Sequence, residues 1–188
     1  MAEKAGLLFH TIISVGKPGA HDVPGSLSPD TLRDLIADRL INHLTVVDNP
    51  MEADLAIVRL RAPYEPRDRY FLEAMTHQGS LDFPADIAER IAKLATQVPV
   101  ALDVYLDRPA ILTQLDAVVA ALTVSFGASD AALLDALSGR TEPRGRLPFE
   151  LPRSMDAVRA SRPDVPSDTE GPLYPHRAGL CYSADGGR

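Results

Sequence analysis

Arginines and carboxylates crowd one stretch of the chain. In "RLRAPYEPRDRYFLEAMTH", residues 59 to 77, stand Arg59, Arg61, Tyr64, Glu65, Arg67, Asp68, Arg69, Glu73 and His77. Carboxylates accept hydrogen bonds from hydroxyls and the guanidinium fork donates them, so this mixture suits a ligand rich in hydroxyl groups. Two shorter polar groups follow: "LDRP" with Asp107 and Arg108, and "SFGASD" with Ser125, Ser129 and Asp130. Each has a plainer reading beside the chemical one. Interspersed Glu and Arg are most often a solvated surface. Asp107 and Arg108 before Pro109 suit the start of a helix. Ser129 reads as an N-cap rather than a nucleophile, because no Ser-His-Asp setting is visible. A lone His77 reads as a polar contact. His10, His21 and His43 have no metal-ligand spacing between them.

Each polar group follows an apolar run. "DLAIVRL" (54–60), "VPVALDVYLD" (98–107) and "AVVAALTVSF" (117–126) are expected as strands, with a shorter β-prone run at 44–47. Helices are expected between them. One opens at Pro84, with Ile87, Ile91, Leu94 and Ala95 on one face and a Glu89–Lys93 pair at i, i+4. A short one covers 109–117. Another is capped by Ser129 and ended by Gly139. Upstream, Ser28 and Pro29 open a helix over 29–41 with Leu32, Leu35, Ile36 and Leu40 at helical spacing. The alternation predicts an α/β fold with a largely parallel sheet. The near-continuous apolar strands predict helices covering both of its faces. Ligands bind such sheets at the carboxyl ends of the strands, where all three polar groups fall. The irregular stretch 61–83 is long for a bare connection, which marks either a functional loop or an element misread there.

A chain of 188 residues is one domain, or one domain with appendages. It is 45% hydrophobic and 24% charged with no Trp, so its core is expected to be Leu, Ile, Val and Ala. The net charge of −7 argues against nucleic acid and against an anionic membrane surface as partners. The single cysteine, Cys181, forbids an intramolecular disulfide and fits a cytoplasmic protein. The run "GLLFHTIISVG" (6–16) is too short to span a bilayer and is poorly flanked for a signal peptide. No zinc spacing, P-loop or GxGxxG occurs, so no cofactor and no metal is expected.

Toward the C-terminus, "SGRTEPRGRLPFELPRSMDAV" (138–158) holds three prolines, four arginines and two glycines. It is too punctuated for a helix and too proline-rich for an inner strand. Leu147, Phe149 and Leu151 alternate as in a half-buried extended segment, so a stiff, proline-rich strap is expected. Regular periodicity stops after Gly139, and residues 183–188 are expected to be disordered.

Six stretches occur in order: "ADLAIVRLRAPYEPRD", "HQGSLDFP", "ALDVYLDRP", "SFGASDAALLDALSG", "GRLPFELPRSMDAV" and "GPLYPHRAGLCY". Together they resemble the C-terminal α/β-sandwich domain of the family 3 glycoside hydrolases, the β-glucosidase and exo-glycosidase family, from about Thr45 to Tyr182. The resemblance implies that the strap runs back across the domain toward Gly179, Leu180 and Tyr182. "EKAGLLFHTII" and "LRDLIADRLINH" resemble the opening of the same family's N-terminal (β/α)8 barrel. The implied organisation is a barrel-like segment at 1–43, a sandwich domain at 44–182 and a tail at 183–188. The passage from "INH" to "LTVVDNP" reads as an internal deletion.

The family resemblance implies hydrolysis of O-glycosyl bonds in β-linked sugars. Retaining glycosidases need two carboxyl groups about 5 Å apart across the scissile bond. In this family the nucleophilic aspartate belongs to the barrel, so the chain is expected to be truncated and inactive alone. Glu65 is the candidate general acid/base by position in the family pattern, with Glu73 second. Arg67, Asp68, Arg69 and His77 are the candidate substrate-binding residues. The alternative is a non-catalytic module that binds carbohydrate or docks onto a partner. That partner would be a barrel on another chain or a second copy in a homodimer. A remnant that folds poorly is a third reading, and its sign would be a non-cooperative melt.

Overall fold

Runs of Val, Ile, Leu and Ala set the centre of the molecule. The computed structural model describes residues 11–15, 45–67 and 69–182, the first of these as backbone alone. Five strands form one sheet: β1 (Thr11–Val15), β2 (Thr45–Val46), β3 (Leu55–Arg61), β4 (Val100–Tyr105) and β5 (Ala121–Ser125). All pairings in the sheet are parallel, in the order β2-β1-β3-β4-β5. Each strand from β2 on coincides with a run where the sequence predicts one, β3 extending one residue past its run to Arg61. β1 lies inside the segment likened to a barrel opening and pairs here with β2 and with β3, from Ile12 opposite Leu55 to Val15 opposite Val58. The expected boundary between 43 and 44, the helix over 29–41 and the tail at 183–188 lie outside the described residues.

Five α-helices are described: α1 (Phe71–Ala74), α2 (Ala85–Ala95), α3 (Thr113–Asp116), α4 (Asp130–Leu137) and α5 (Met155–Ala160). α2 starts at Pro84 and buries Ile87 and Ile91. Asp86 in its first turn and Lys93 in its last complement the helix dipole. α3 is shorter than the sequence predicts, because residues before it are drawn into extended pairing: Ile111 N–H donates to Leu81 O at 2.9 Å. The Ser129 hydroxyl accepts from Ala132 N–H at 3.3 Å, the N-cap predicted for α4. α5 corrects the reading of 138–158 as too punctuated for a helix, because it begins at Met155 inside that stretch. Ser154 caps it by accepting from Ala157 N–H at 3.1 Å, and it lasts only six residues, too few to show a period.

The sheet divides its chemistry between its faces. On one, Ala56, Val58, Val100, Leu102 and Val104 join Ile87, Ile91, Leu115, Leu147 and Leu151 in the main core. Each large side chain buried there contributes about 1.5–3 kcal/mol relative to exposure. The other face carries a polar row. Arg59, Asp103 and Thr123 stand opposite one another in register across β3, β4 and β5, and Arg61, Tyr105 and Ser125 form the next such row. Residues 145–152 run beside 173–178. Leu147 N–H donates to Ala178 O at 2.9 Å and Leu151 N–H to Tyr174 O at 2.8 Å. Leu147 and Leu151 are buried and Phe149 is half-buried.

Candidate functional site

Residues 62–83 leave the carboxyl end of β3 and return before α2 as an arm with a tied neck. Glu65 and Gln78 form an antiparallel bridge, Glu65 N–H donating to Gln78 O at 2.8 Å. The Glu65 carboxylate accepts from Ser80 N–H at 3.0 Å. Gly79 lies against it with φ of +90°, and a Cβ there would stand 2.6 Å from Glu65 Oε2. Only glycine combines that backbone conformation with that approach. Arg108, after β4, donates to Gly79 O at 2.7 Å.

Asp107 closes the neck from β4. Its Oδ2 accepts from Arg61 at 3.0 Å and bonds His77 Nδ1, so one carboxylate joins the end of β3, the returning arm and the end of β4. Burial pushes the Asp107 carboxyl up, but the bonds from His77 and Arg61 outweigh it and hold the group below the usual carboxylate range. The His77 ring stacks on Tyr64 with centroids 4.0 Å apart. The Arg61 guanidinium lies 5.8 Å from the Tyr64 ring centroid and 5.4 Å from that of Tyr105, within reach of both ring faces. Three buried donors at this neck have no hydrogen-bond partner: Arg61 Nε, Gln78 Nε2 and Arg108 Nη1. All three are donors, so the neck lacks acceptors rather than protons.

The candidate residues separate. Glu65 is half exposed at the neck. The Ser80 amide first, and then Arg67 at 3.4 Å, hold its carboxyl below the ordinary value. His77 is at the neck as well, with Asp107 and Tyr64. Glu73 lies on α1 at the tip, away from the Glu65–Gln78 bridge. The Arg69 guanidinium sits 5.4 Å from the Tyr70 ring centroid. Asp68 lies outside the described residues. The tip is apolar: Phe71 is 80% exposed and Leu72 is 73%, with Tyr70 and Met75 exposed beside them. Asp107 read as a helix cap in the sequence, and the structure spends its carboxylate on the arm instead. The signals for this were the glycine in "HQGS" and the residues that follow each strand.

The polar residues of the third group meet elsewhere. Asp103, 2% exposed, accepts from Arg59 Nε at 2.8 Å, from Thr123 Oγ1 at 3.0 Å and from Ser125 Oγ at 3.3 Å. Arg59 also pairs with Asp130 at the start of α4. Burial raises the Asp130 carboxyl against the pull of Arg59. This is a buried tie between sheet and helix, and Arg59, Ser125 and Asp130 belong to it rather than to an open rim. Among the described residues no group of three or more His, Cys, Asp or Glu is placed to hold a metal ion. No helix there is long and apolar enough to cross a membrane.

Residues 16–182 match the family described as the glycosyl hydrolase family 3 C-terminal domain. Beta-glucosidase C of Emericella nidulans is 46% identical over 140 residues, 74% of this chain and 22% of that protein. The periplasmic beta-glucosidase/beta-xylosidase of Dickeya chrysanthemi is 41% identical over 140 residues, covering 73% and 21%. This chain therefore spans about a fifth of the length of the curated relatives it matches. The fold is shared with the crystal structure of a beta-glucosidase from Listeria innocua in complex with isofagomine. The TM-score is 0.65 at 16% identity, over 95% of this chain and 31% of that one. It is shared also with an exo-1,3/1,4-beta-glucanase from a Pseudoalteromonas species, with TM-score 0.64 at 19% identity, over 96% and 33%.

Proposed function

Because the chain belongs to the glycosyl hydrolase family 3 C-terminal domain family, we propose that it supplies the sandwich part of a hydrolase of β-linked sugars. In this reading the arm carries Glu65, as general acid/base, into a cleft completed by a barrel. The chain alone gives no turnover. The observation that supports this is the construction of the arm: a neck tied by Asp107, Arg108 and the Glu65–Gln78 bridge, and a tip that exposes Phe71, Leu72 and Met75. A tied neck with an apolar tip suits insertion against another folded surface. Glu65 in the uncovered arm is held ionised, the wrong state for a general acid. Covering it would remove water and raise its pKa toward that task. Arg67, Arg69 and His77 then stand near enough in the chain to meet sugar hydroxyls.

The test is hydrolysis of aryl β- and α-glycosides by the purified chain, with Glu65→Gln alongside. No turnover above the variant is expected. Turnover that the variant loses would mean the chain builds a second working carboxylate by itself, and the reading would fall. Addition of a separately produced family 3 barrel should restore activity to the wild-type chain and not to Glu65→Gln. If both chains bind the barrel and neither restores activity, the arm is a docking device without catalytic function.

A further inference from the structure

A second concave site lies away from the neck. It is a cavity of about 500 Å³ between residues 148–152, α5 and the turn that follows α5. That volume falls in the range of small-molecule pockets. Its walls are largely C–H surface: Pro148, Phe149 and Pro152 on one side, Val158, Pro163 and Pro166 on the other. Polar groups stand along the same walls. Glu150 uses one carboxylate oxygen, Oε1, to accept from Thr169 N–H at 2.7 Å. Arg162 grips Asp168 through Nε at 3.2 Å and Nη2 at 2.8 Å, which closes the turn 162–168 into a ring. His176 and Ser167 also line the cavity.

We infer that this cavity is a binding site for a short neutral oligosaccharide, separate from the arm. The walls supply what a pyranose ring needs. Proline and phenylalanine carbons cover its apolar C–H face, and the second carboxylate oxygen of Glu150 and the His176 ring on the same walls can meet its hydroxyls. A proline-rich peptide fits less well. Grooves that read such peptides are lined with aromatic rings, and Phe149 is the one ring of that kind on these walls. The walls are also set before any ligand arrives. Phe149 packs edge-on against Phe126 with centroids 5.8 Å apart. The Arg162–Asp168 pair fixes the turn, so little ordering remains on binding. The proposal does not depend on the catalytic reading of Glu65.

The experiment is an NMR titration of the full chain with cellobiose, read at assigned backbone amides. Shifts that saturate at millimolar concentration and cluster in 149–151 and 161–169 are expected. Val165→Trp, which fills the cavity, should weaken them at least about tenfold, and His176→Ala should weaken them less. Both side chains are off the main core, and an unchanged melting temperature will show that the variants fold. No saturable shift would overturn the proposal. So would shifts confined to residues 62–83, or a response to a polyproline peptide and none to cellobiose. Hydrolysis data on Glu65→Gln bear on the arm alone, so the two readings fail separately.

Discussion

Replacing Asp103 by alanine is the sharpest probe of what holds the sheet to α4. The carboxylate is 2% exposed and accepts three side-chain hydrogen bonds. Its ion-pair partner Arg59 is only 12% exposed, so solvent does little to screen the pair. Alanine leaves a buried guanidinium short of one anion and two hydroxyls short of an acceptor. Removing one member of a buried pair costs about 3–5 kcal/mol, and that range already includes the orphaned groups. Domains of this size have a stability of about 5–15 kcal/mol, so at least a fifth of it should go. The melting temperature should fall by about 10 °C. The chain has no Trp, so urea unfolding is best followed by far-UV circular dichroism, with the slope checked to stay constant. The companion is Arg59→Met with Asp103→Leu, which removes the pair together and keeps apolar volume. It should cost clearly less than the sum of the single changes. A loss below about 1 kcal/mol for Asp103→Ala, or strict additivity in the cycle, would refute the claim that this charge is buried and shared.

Three further outcomes can be measured directly. Burial first, and then the bond to Asp116 at 2.5 Å, push the Tyr174 hydroxyl up to about 12. The neutral phenol is the favoured form, so its contribution to stability is present below pH 10 and lost as the pH rises through about 12. An ultraviolet titration should show a late-ionising tyrosine, and Tyr174→Phe should remove that phase. The Arg162 side chain and amide lower the Asp168 carboxyl to about 2. Its contribution is present above the ordinary value of about 4 and lost as the pH falls toward about 2, which a carboxyl carbon NMR titration of wild type and Arg162→Ala will display. Gly79→Ala forces a side chain into φ of +90° and against Glu65. It should cost about 1–3 kcal/mol and return the Glu65 carboxyl toward its ordinary value, read by urea unfolding and NMR together.

The strands from β2 on were legible because each overlaps an apolar run, whereas β1 lies in the segment likened to a barrel opening. Leu55–Val58 and Val100–Val104 are buried almost without a gap, the pattern of a parallel sheet covered on both sides. α2 and α4 were legible through spacing and caps. α5 was not, because six residues show no period and prolines flank them. Pairing order was out of reach too, since parallel neighbours meet only through long crossovers. At the candidate site, the sequence marked the loop that folds into the arm and could not rank its residues. Asp107 and His77 are 30 positions apart, and no local pattern says that they touch. Arg59 and Asp130 are 71 apart and read as rim residues, although the fold draws them inward.

The polar row across β3, β4 and β5 also bears on how the sheet finds its alignment. Strands built from Val, Leu, Ile and Ala slide past one another at little cost, because a slip of two residues returns every side chain to its proper face. Arg59 breaks that degeneracy. Shifted by two, it would stand opposite Ala101 or Tyr105 instead of Asp103, with its charge unanswered by that carboxylate. The row therefore works as a registration mark, penalising misaligned sheets that hydrophobic burial alone would accept. Parallel strands assemble slowly from distant parts of the chain, and in such a fold an error signal written into the sheet itself shortens the list of traps.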